Sequence, residues 1–527
     1  MERTRAHAMD HVVLVIFENR SFDNVLGHLW EPGEQPGFEG VIGKVLTNPV
    51  PAWANPIPPS DVGPEPGYVY YGPAAGRDTP ELDPGEEYQH TNTQLFGILA
   101  EENRGKPAHK MRSTNAPEPG RRPTMDGFVT DYISTWESLR HESPQFRQYR
   151  QIMQGLTRDQ VPVLSAIARG FAVFDHWFSE VPSQTFPNRS FWTAASSSGL
   201  VVNSPAERFF LDNKAETIFE RIEASGRTWK VYVLEPCPLS VTGLVNAPRL
   251  KEHFHDRFVP FAEFERDVGA GTLPDFALIE PNLLCGHADY HPPFGDAMVT
   301  GVELPVDPVS AVGSGEQFLA RLYDAVRGAP TEGASNVWNT TLFVGWDEPG
   351  GTYDHVPPPD AVPPDDSPGE LGFGFDRSGY RVPAILVSPW VPERSLVSGE
   401  HRHTSLIATL RKVWGLGEPL SRRDASAATI DGLFSLDEPR DPAGWPSVVA
   451  SPAPVAGPDP VTLRMGLGSL GRHLVHGMAA LANVHGLDAE PGKYDPDVDV
   501  PSDLFVEGAH LFGGHFFPLL VRPDPPA

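Results

Sequence analysis

Cysteine is nearly absent from this chain: Cys237 and Cys285 are the only two among 527 residues. That number permits one disulfide and excludes a disulfide framework. Long apolar runs are missing too, because no stretch reaches the roughly 18–20 uninterrupted apolar residues that a membrane span needs. Near the N-terminus the apolar run is Val12–Phe17. It is shorter than the roughly 7–15 residues of a secretory apolar region, and charge follows it where small residues would mark a cleavage site. The expectation is a cytoplasmic chain, or a secreted or periplasmic one if a leader has been removed. Positive charge is scarce as well. Lys and Arg number 41 against 69 Asp and Glu, for a net charge of −28. Phosphate-backbone binding depends on Lys and Arg, so no nucleic-acid partner is expected, and an anionic membrane surface would be repelled.

What is present is globular: 40% hydrophobic and 21% charged residues, with length enough for a large core. Gly (50) and Pro (57) make up about a fifth of the chain, so long ordered loops are expected. Proline concentrates at 31–80, 357–372 and 446–460. The third stretch reads as a boundary between a main domain over 1–445 and a linker with C-terminal extension over 446–527. GLGSLG at 466–471 matches a glycine fingerprint only formally, since it lies late in the chain and outside a βαβ unit.

Apolar, β-rich runs at 12–17, 171–174, 229–234, 275–280, 340–346 and 382–388 alternate with helical patterns at 161–169, 216–224 and 316–327. The alternation predicts an α/β fold with a mostly parallel central sheet, and near-continuous apolar strands predict helices on both faces. Ligands in such sheets sit beyond the carboxyl ends of the strands. Two strands end there in acid. HVVLVIFENRSFD (11–23) runs into Glu18 and Asn19, and TLFVGWDEPGGTYDHVPP (341–358) into Asp347 and Glu348. Carboxylates with an amide oxygen suit a hard divalent cation, whereas each pair alone reads equally as a solvated loop or a helix cap. In FDHWFSEVPSQTFPNRSFWTAASSSG (174–199), Pro187 predicts a helix from about 187 to 195. Thr185 then stands before a helix N-terminus that attracts anions, as a nucleophile with Asn188 and Arg189 holding phosphate oxygens, or as a simple cap.

These stretches, with RVPAILVSPWV (381–391), HTSLIATL (403–410) and PLSRRDASAATIDGLFSLDEPR (419–440), resemble the bacterial phosphoesterase family of phospholipases C and acid phosphatases, in order over about residues 9–440. The resemblance implies an alkaline-phosphatase-like α/β core with one divalent metal ion held by Glu18, Asn19, Asp347, Glu348 and the Thr185 hydroxyl. It implies that Thr185 is the nucleophile and that His90, His291 and His255 (taken over His253) are catalytic. Asn188, Arg189 and His355 are implied as phosphate-binding, and His403 falls on a further family histidine. Oxygen ligands favour Ca²⁺, Mg²⁺ or Mn²⁺ over zinc. The expected substrate is a phosphate ester, with a phospholipid head group preferred because the phospholipases carry Thr where the acid phosphatases carry Ser. A phosphomonoesterase on the same site, or a binding protein on a retained fold, are the rival readings. The chain departs from the family in lacking an export signal, in Ser-Gln-Thr replacing Gly-Pro-Thr, and in about 20 extra residues at 295–314. Oligomeric state is left open.

Overall fold

The structure, a computed structural model, describes residues 3–118, 120–203, 207–235, 239–283, 287–293, 311–450, 512 and 514–520. Both cysteines, the 295–310 part of the extra segment, GLGSLG and most of the extension after 450 lie outside the described residues.

Eight strands form the main sheet: β1 (His11–Phe17), β2 (Ala172–Phe174), β3 (Trp229–Val233), β4 (Phe258–Pro260), β5 (Phe276–Glu280), β6 (Thr340–Trp346), β7 (Ala384–Val387) and β8 (Ser395–Val397). Their order across the sheet is β8-β2-β7-β6-β1-β5-β3-β4. Only β7 runs against its neighbours, and every other pairing is parallel. The six strands expected from the sequence are all present, because their apolar runs are buried on both faces; Val12 through Phe17 are fully enclosed.

Helices cover both faces. Alternation along β6 shows why: the Gly345 position faces Trp192, while Phe17, beside Trp346, meets Phe318. On the Trp192 side lie α4 (Thr185–Ala194), α5 (Ile218–Ala224) and α8 (His403–Trp414). On the Phe318 side lie α3 (Pro162–Gly170), α6 (Phe261–Ala270) and α7 (Ala311–Arg327). Two further helices, α1 (Tyr88–Phe96) and α2 (Phe128–Arg140), pack together with a separate cluster that includes Leu95, Phe128 and Tyr380. Beyond the predicted domain limit at 445, Phe517 is fully buried between Phe254 and Phe258. Among the described residues no helix is long and apolar enough to cross a membrane.

Strand register decides which side chains share the carboxyl end of the sheet. β1 and β6 are adjacent and parallel, with Phe17 opposite Trp346. Glu18 and Asp347 therefore leave the sheet side by side. On the other flank of β1, Val15 pairs with Ile279, which brings Glu280 to the same end.

Candidate active site

The two acid-ended strands meet. Asn19 N–H donates to Asp347 Oδ1 at 3.2 Å, and Glu348 N–H donates to the same oxygen at 2.7 Å. Glu348 Oε2 in turn accepts from Gly350 N–H at 2.6 Å. Asn19 has a φ of 53°, a left-handed conformation that Asn tolerates. Gly350 (φ 58°) must be glycine for a second reason: a Cβ there would fall 2.4 Å from the Asn19 carbonyl oxygen. Gly350→Ala is therefore expected to cost at least about 2 kcal/mol from strain and displacement together. Thermal unfolding and divalent-cation affinity, which should fall in parallel, would check it.

Thr185 opens helix α4, two residues earlier than Pro187 suggested, with Gln184 as the extended residue before it. The Thr185 hydroxyl donates to Glu18 Oε2 at 3.3 Å. Arg189, one helical turn on, donates to Glu18 Oε1 through Nε at 2.9 Å and Nη2 at 2.6 Å. It also lies 3.6 Å from both Asp347 Oδ2 and Glu280 Oε1. One guanidinium thus faces Glu18, Asp347 and Glu280, and Glu348 stands beside them, all buried. Burial, then the charge of Asp347, pushes Glu18 well above the usual carboxylate range. Burial, then Glu86 and Asp347, does the same to Glu348. Asp347 rises through burial despite Arg189.

The donor types are those a hard divalent cation takes. Asn19 Oδ1, Asp347 Oδ2 and Glu348 Oε1 are buried oxygens with no hydrogen-bond partner among the described residues, a costly arrangement unless a cation completes it. All are oxygen ligands, and there is no thiolate among them.

The structure sorts the remaining expected residues. His291 joins the neighbourhood: Asp83, Glu86 and His291 present ligand atoms within 4.8 Å of one another. Its Nδ1 donates to Pro292 O at 2.7 Å, and burial lowers its pKa to about 4. His90 lies in α1 behind this group, Nδ1 to Asp131 Oδ1 at 2.8 Å. Burial opposes its charge, but Asp131 prevails and holds the pKa at about 9.

Five expectations need correction. His255 is exposed and precedes β4, at the sheet end opposite the carboxylates. His355 is carried away by its loop to Asp23 (Nδ1 to Oδ2, 2.5 Å) and Glu39 (Nε2 to Oε1, 2.9 Å). Asp23 and Asp354 beside it are bridged by Arg381, so a guanidinium supplies the positive charge there. Asn188 is spent on backbone: its Oδ1 accepts from the N–H groups of Glu180 and Val181, and its Nδ2 donates to the carbonyls of Val181, Ser183 and Gln184. It shapes the turn before Thr185 instead of holding phosphate. Arg189 is hydrogen-bonded to Glu18 and lies 3.6 Å from Asp347 and Glu280, so its charge is turned first on these carboxylates and offsets part of theirs. His403 is structural: its Nε2 donates to Asp347 O at 2.6 Å, Trp177 Nε1 donates to its Nδ1 at 3.1 Å, and it stacks on Trp192.

Glu86 was missed by the sequence reading. It accepts from both Asn19 Nδ2 and Gln184 Nε2. The available signal was LDPGEEY, three acids in five residues around a Pro-Gly turn with no basic residue beside them.

A model of the Phosphoesterase family matches residues 9–417. Non-specific phospholipase C3 of Arabidopsis thaliana is 31% identical over 447 residues, covering 81% of this chain and 74% of that protein. Phospholipase C B of Mycobacterium tuberculosis is 28% identical over 323 residues, covering 54% of this chain and 57% of its own length. Solved structures are matched loosely. The phosphonate monoester hydrolase of Agrobacterium radiobacter is 14% identical with a TM-score of 0.31, over 54% of this chain and 73% of that one. An alkaline phosphatase superfamily protein from Vibrio parahaemolyticus is 15% identical with a TM-score of 0.29, over 51% and 67%. With the family match spanning most of the described sheet and its acid-ended strands, the chain belongs to the phosphoesterase family and is a phosphoric ester hydrolase.

Proposed function

We propose that the chain is a divalent-metal-dependent phospholipase C-type phosphodiesterase working through a phosphothreonine at Thr185. The observation that carries this reading is the Thr185 hydroxyl, hydrogen-bonded to Glu18 beside three buried oxygens that have no hydrogen-bond partner among the described residues. A divalent cation held by Glu18, Asn19, Asp347, Glu348 and the Thr185 hydroxyl would acidify that hydroxyl and polarise the phosphoryl group. Ca²⁺, Mg²⁺ and Mn²⁺ suit these ligands best.

Thr185 Oγ1 attacks phosphorus in line, its proton passing towards Glu18. The bond from phosphorus to the lipid alcohol breaks, and the alkoxide takes a proton from His90, which is cationic at neutral pH. Water then attacks the phosphothreonine from the vacated side. His291, neutral at that pH, accepts the water's proton. The bond from phosphorus to Thr185 Oγ1 breaks, Glu18 returns its proton to that oxygen, and the phosphorylated head group leaves. Exchange with solvent then discharges His291 and recharges His90. Arg189 keeps Glu18 anchored throughout. A zwitterionic phosphocholine suits a chain of net charge −28 better than a dianionic monoester does. The phospholipase C relatives support the same choice.

The test is hydrolysis of a chromogenic phosphocholine diester and the corresponding monoester by chelated protein, before and after Mn²⁺ or Ca²⁺ is restored. Metal-dependent turnover that is faster on the diester is the expected result. Faster monoester turnover would reassign the chain to the phosphomonoesterases on the same site. Cleavage of neither substrate with any divalent cation would remove the catalytic reading for both classes.

A further inference from the structure

Glu86 sits in the turn before α1, 4% exposed. Its two oxygens are divided between two amides. Oε2 accepts from Asn19 Nδ2, and Oε1 accepts from Gln184 Nε2 at 3.1 Å. Once ionised, as in the cation-bound state, the Glu86 carboxylate can only accept, so it then dictates which end of each amide faces it. For Asn19, fixing the nitrogen on Glu86 fixes the oxygen on the opposite side of the planar group. That oxygen, Oδ1, is buried and has no hydrogen-bond partner among the described residues.

Gln184 is the residue before Thr185. Its nitrogen is held by Glu86, and its Oε1 accepts from Asn203 N–H at 3.0 Å. Asn203 Oδ1 then accepts from Phe186 N–H at 2.8 Å. The chain Glu86–Gln184–Asn203–Phe186 therefore grips the residues on both sides of Thr185. Glu86 thus reaches both the Asn19 amide and the turn that carries the hydroxyl.

We infer that Glu86 is a positioning residue: it orients the Asn19 amide oxygen as a cation ligand and, through Gln184, sets the hydroxyl-bearing turn against that ligand. The inference rests on the cation-dependent reading of the proposed function. Carboxylates that hydrogen-bond a ligand's far side fix its orientation, and their loss commonly costs about 10–100-fold in metal affinity or activity.

Glu86→Gln tests it. The new amide carries one acceptor and one donor end, so it can satisfy Asn19 or Gln184 but not both. Mn²⁺ binding by isothermal titration, together with kcat and KM on the phosphocholine diester, gives the readouts. The expected result is Mn²⁺ affinity weakened about 10-fold or more, kcat lowered by a similar factor, KM little changed, and the number of Mn²⁺ ions bound per chain unchanged. Gln184→Ala removes the second arm, with its bond to Asn203 N–H, and leaves the Glu86–Asn19 contact in place. It is expected to lower kcat about tenfold while Mn²⁺ affinity stays within twofold, since a misplaced nucleophile slows the step without touching the ligands. It also decides the matter if Glu86→Gln does not fold.

Mn²⁺ affinity and kcat within twofold of wild type in Glu86→Gln would overturn the inference, as would an unaffected kcat in Gln184→Ala. Loss of one bound Mn²⁺ per chain in Glu86→Gln would overturn it differently, making Glu86 a direct ligand of a second ion with Asp83 and His291. A wild-type protein that neither binds Mn²⁺ nor cleaves an ester would instead sink the proposed function. Normal wild-type behaviour with an indifferent Glu86→Gln sinks only this inference.

Discussion

Thr185→Ala is expected to lower turnover of the phosphocholine diester by roughly 10⁴-fold or more, the scale seen when a covalent nucleophile is removed. KM should stay within a few-fold, because substrate binding draws on groups the substitution leaves in place. The fold should survive, since the hydroxyl makes one hydrogen bond, 3.3 Å to Glu18, whose loss costs about 1 kcal/mol. Thr185→Ser keeps the oxygen and is expected to retain activity within about tenfold, its extra rotamer freedom being the main loss. Acid-quenched protein analysed by mass spectrometry should show phosphate on Thr185 in wild type and none in Thr185→Ala. Retention of a tenth of wild-type turnover by the alanine variant would show that another group attacks phosphorus, and the mechanism would have to be rebuilt around it.

The two halves of the carboxylate cluster were legible because each is written locally. An apolar run long enough for a buried strand, ended by acid, needs no tertiary information beyond the rule that α/β sheets place ligands at carboxyl ends. That Glu18 and Asp347 would be neighbours needed the β1–β6 pairing, which the family resemblance supplied and spacing did not. The residues that went astray depend on side-chain direction or distant partners. His355 follows Asp347 by eight positions, yet the intervening Pro349, Gly350 and Gly351 turn it towards Asp23 and Glu39. Asn188 looked free to hold phosphate, but the turn at 180–184 consumes both ends of its amide. Glu86 escaped notice because both partners lie far away in sequence, at Asn19 and Gln184. A single glutamate in a loop carries no mark of such contacts.

After chelation, raising the pH from 6.5 to 8 is expected to lower the protein's unfolding midpoint, and a saturating divalent cation to reduce that fall. The sign comes from the buried groups. Glu86 is raised from the ordinary 4.5 to about 7, by burial and then by the charge of Glu87. The folded chain therefore keeps a proton that the unfolded chain has released, and the stability tied to it is lost as pH climbs through 7. Glu18, Asp347, Glu348 and Asp83 are displaced in the same direction. His90, at about 9 against an ordinary 6.5, acts alike: its contribution is full below 6.5 and lost towards 9. His291 and His403, lowered to about 4 by burial, oppose this trend, but their effect is concentrated below 6.5, where unfolded histidine becomes charged. Between 6.5 and 8 the net change is expected to be about 2 kcal/mol or more, since each proton retained only by the fold is worth about 1.4 kcal/mol per pH unit. A cation at about a thousand times its dissociation constant adds about 4 kcal/mol. Because it competes with protons for the same oxygens, its shift should be larger at pH 8 than at 6.5. Calorimetry at the two pH values, with and without Mn²⁺, measures all four midpoints. A chelated protein that grows more stable towards pH 8 would mean that these carboxylates are ionised without strain, and the case for a cation among them would lose its electrostatic ground.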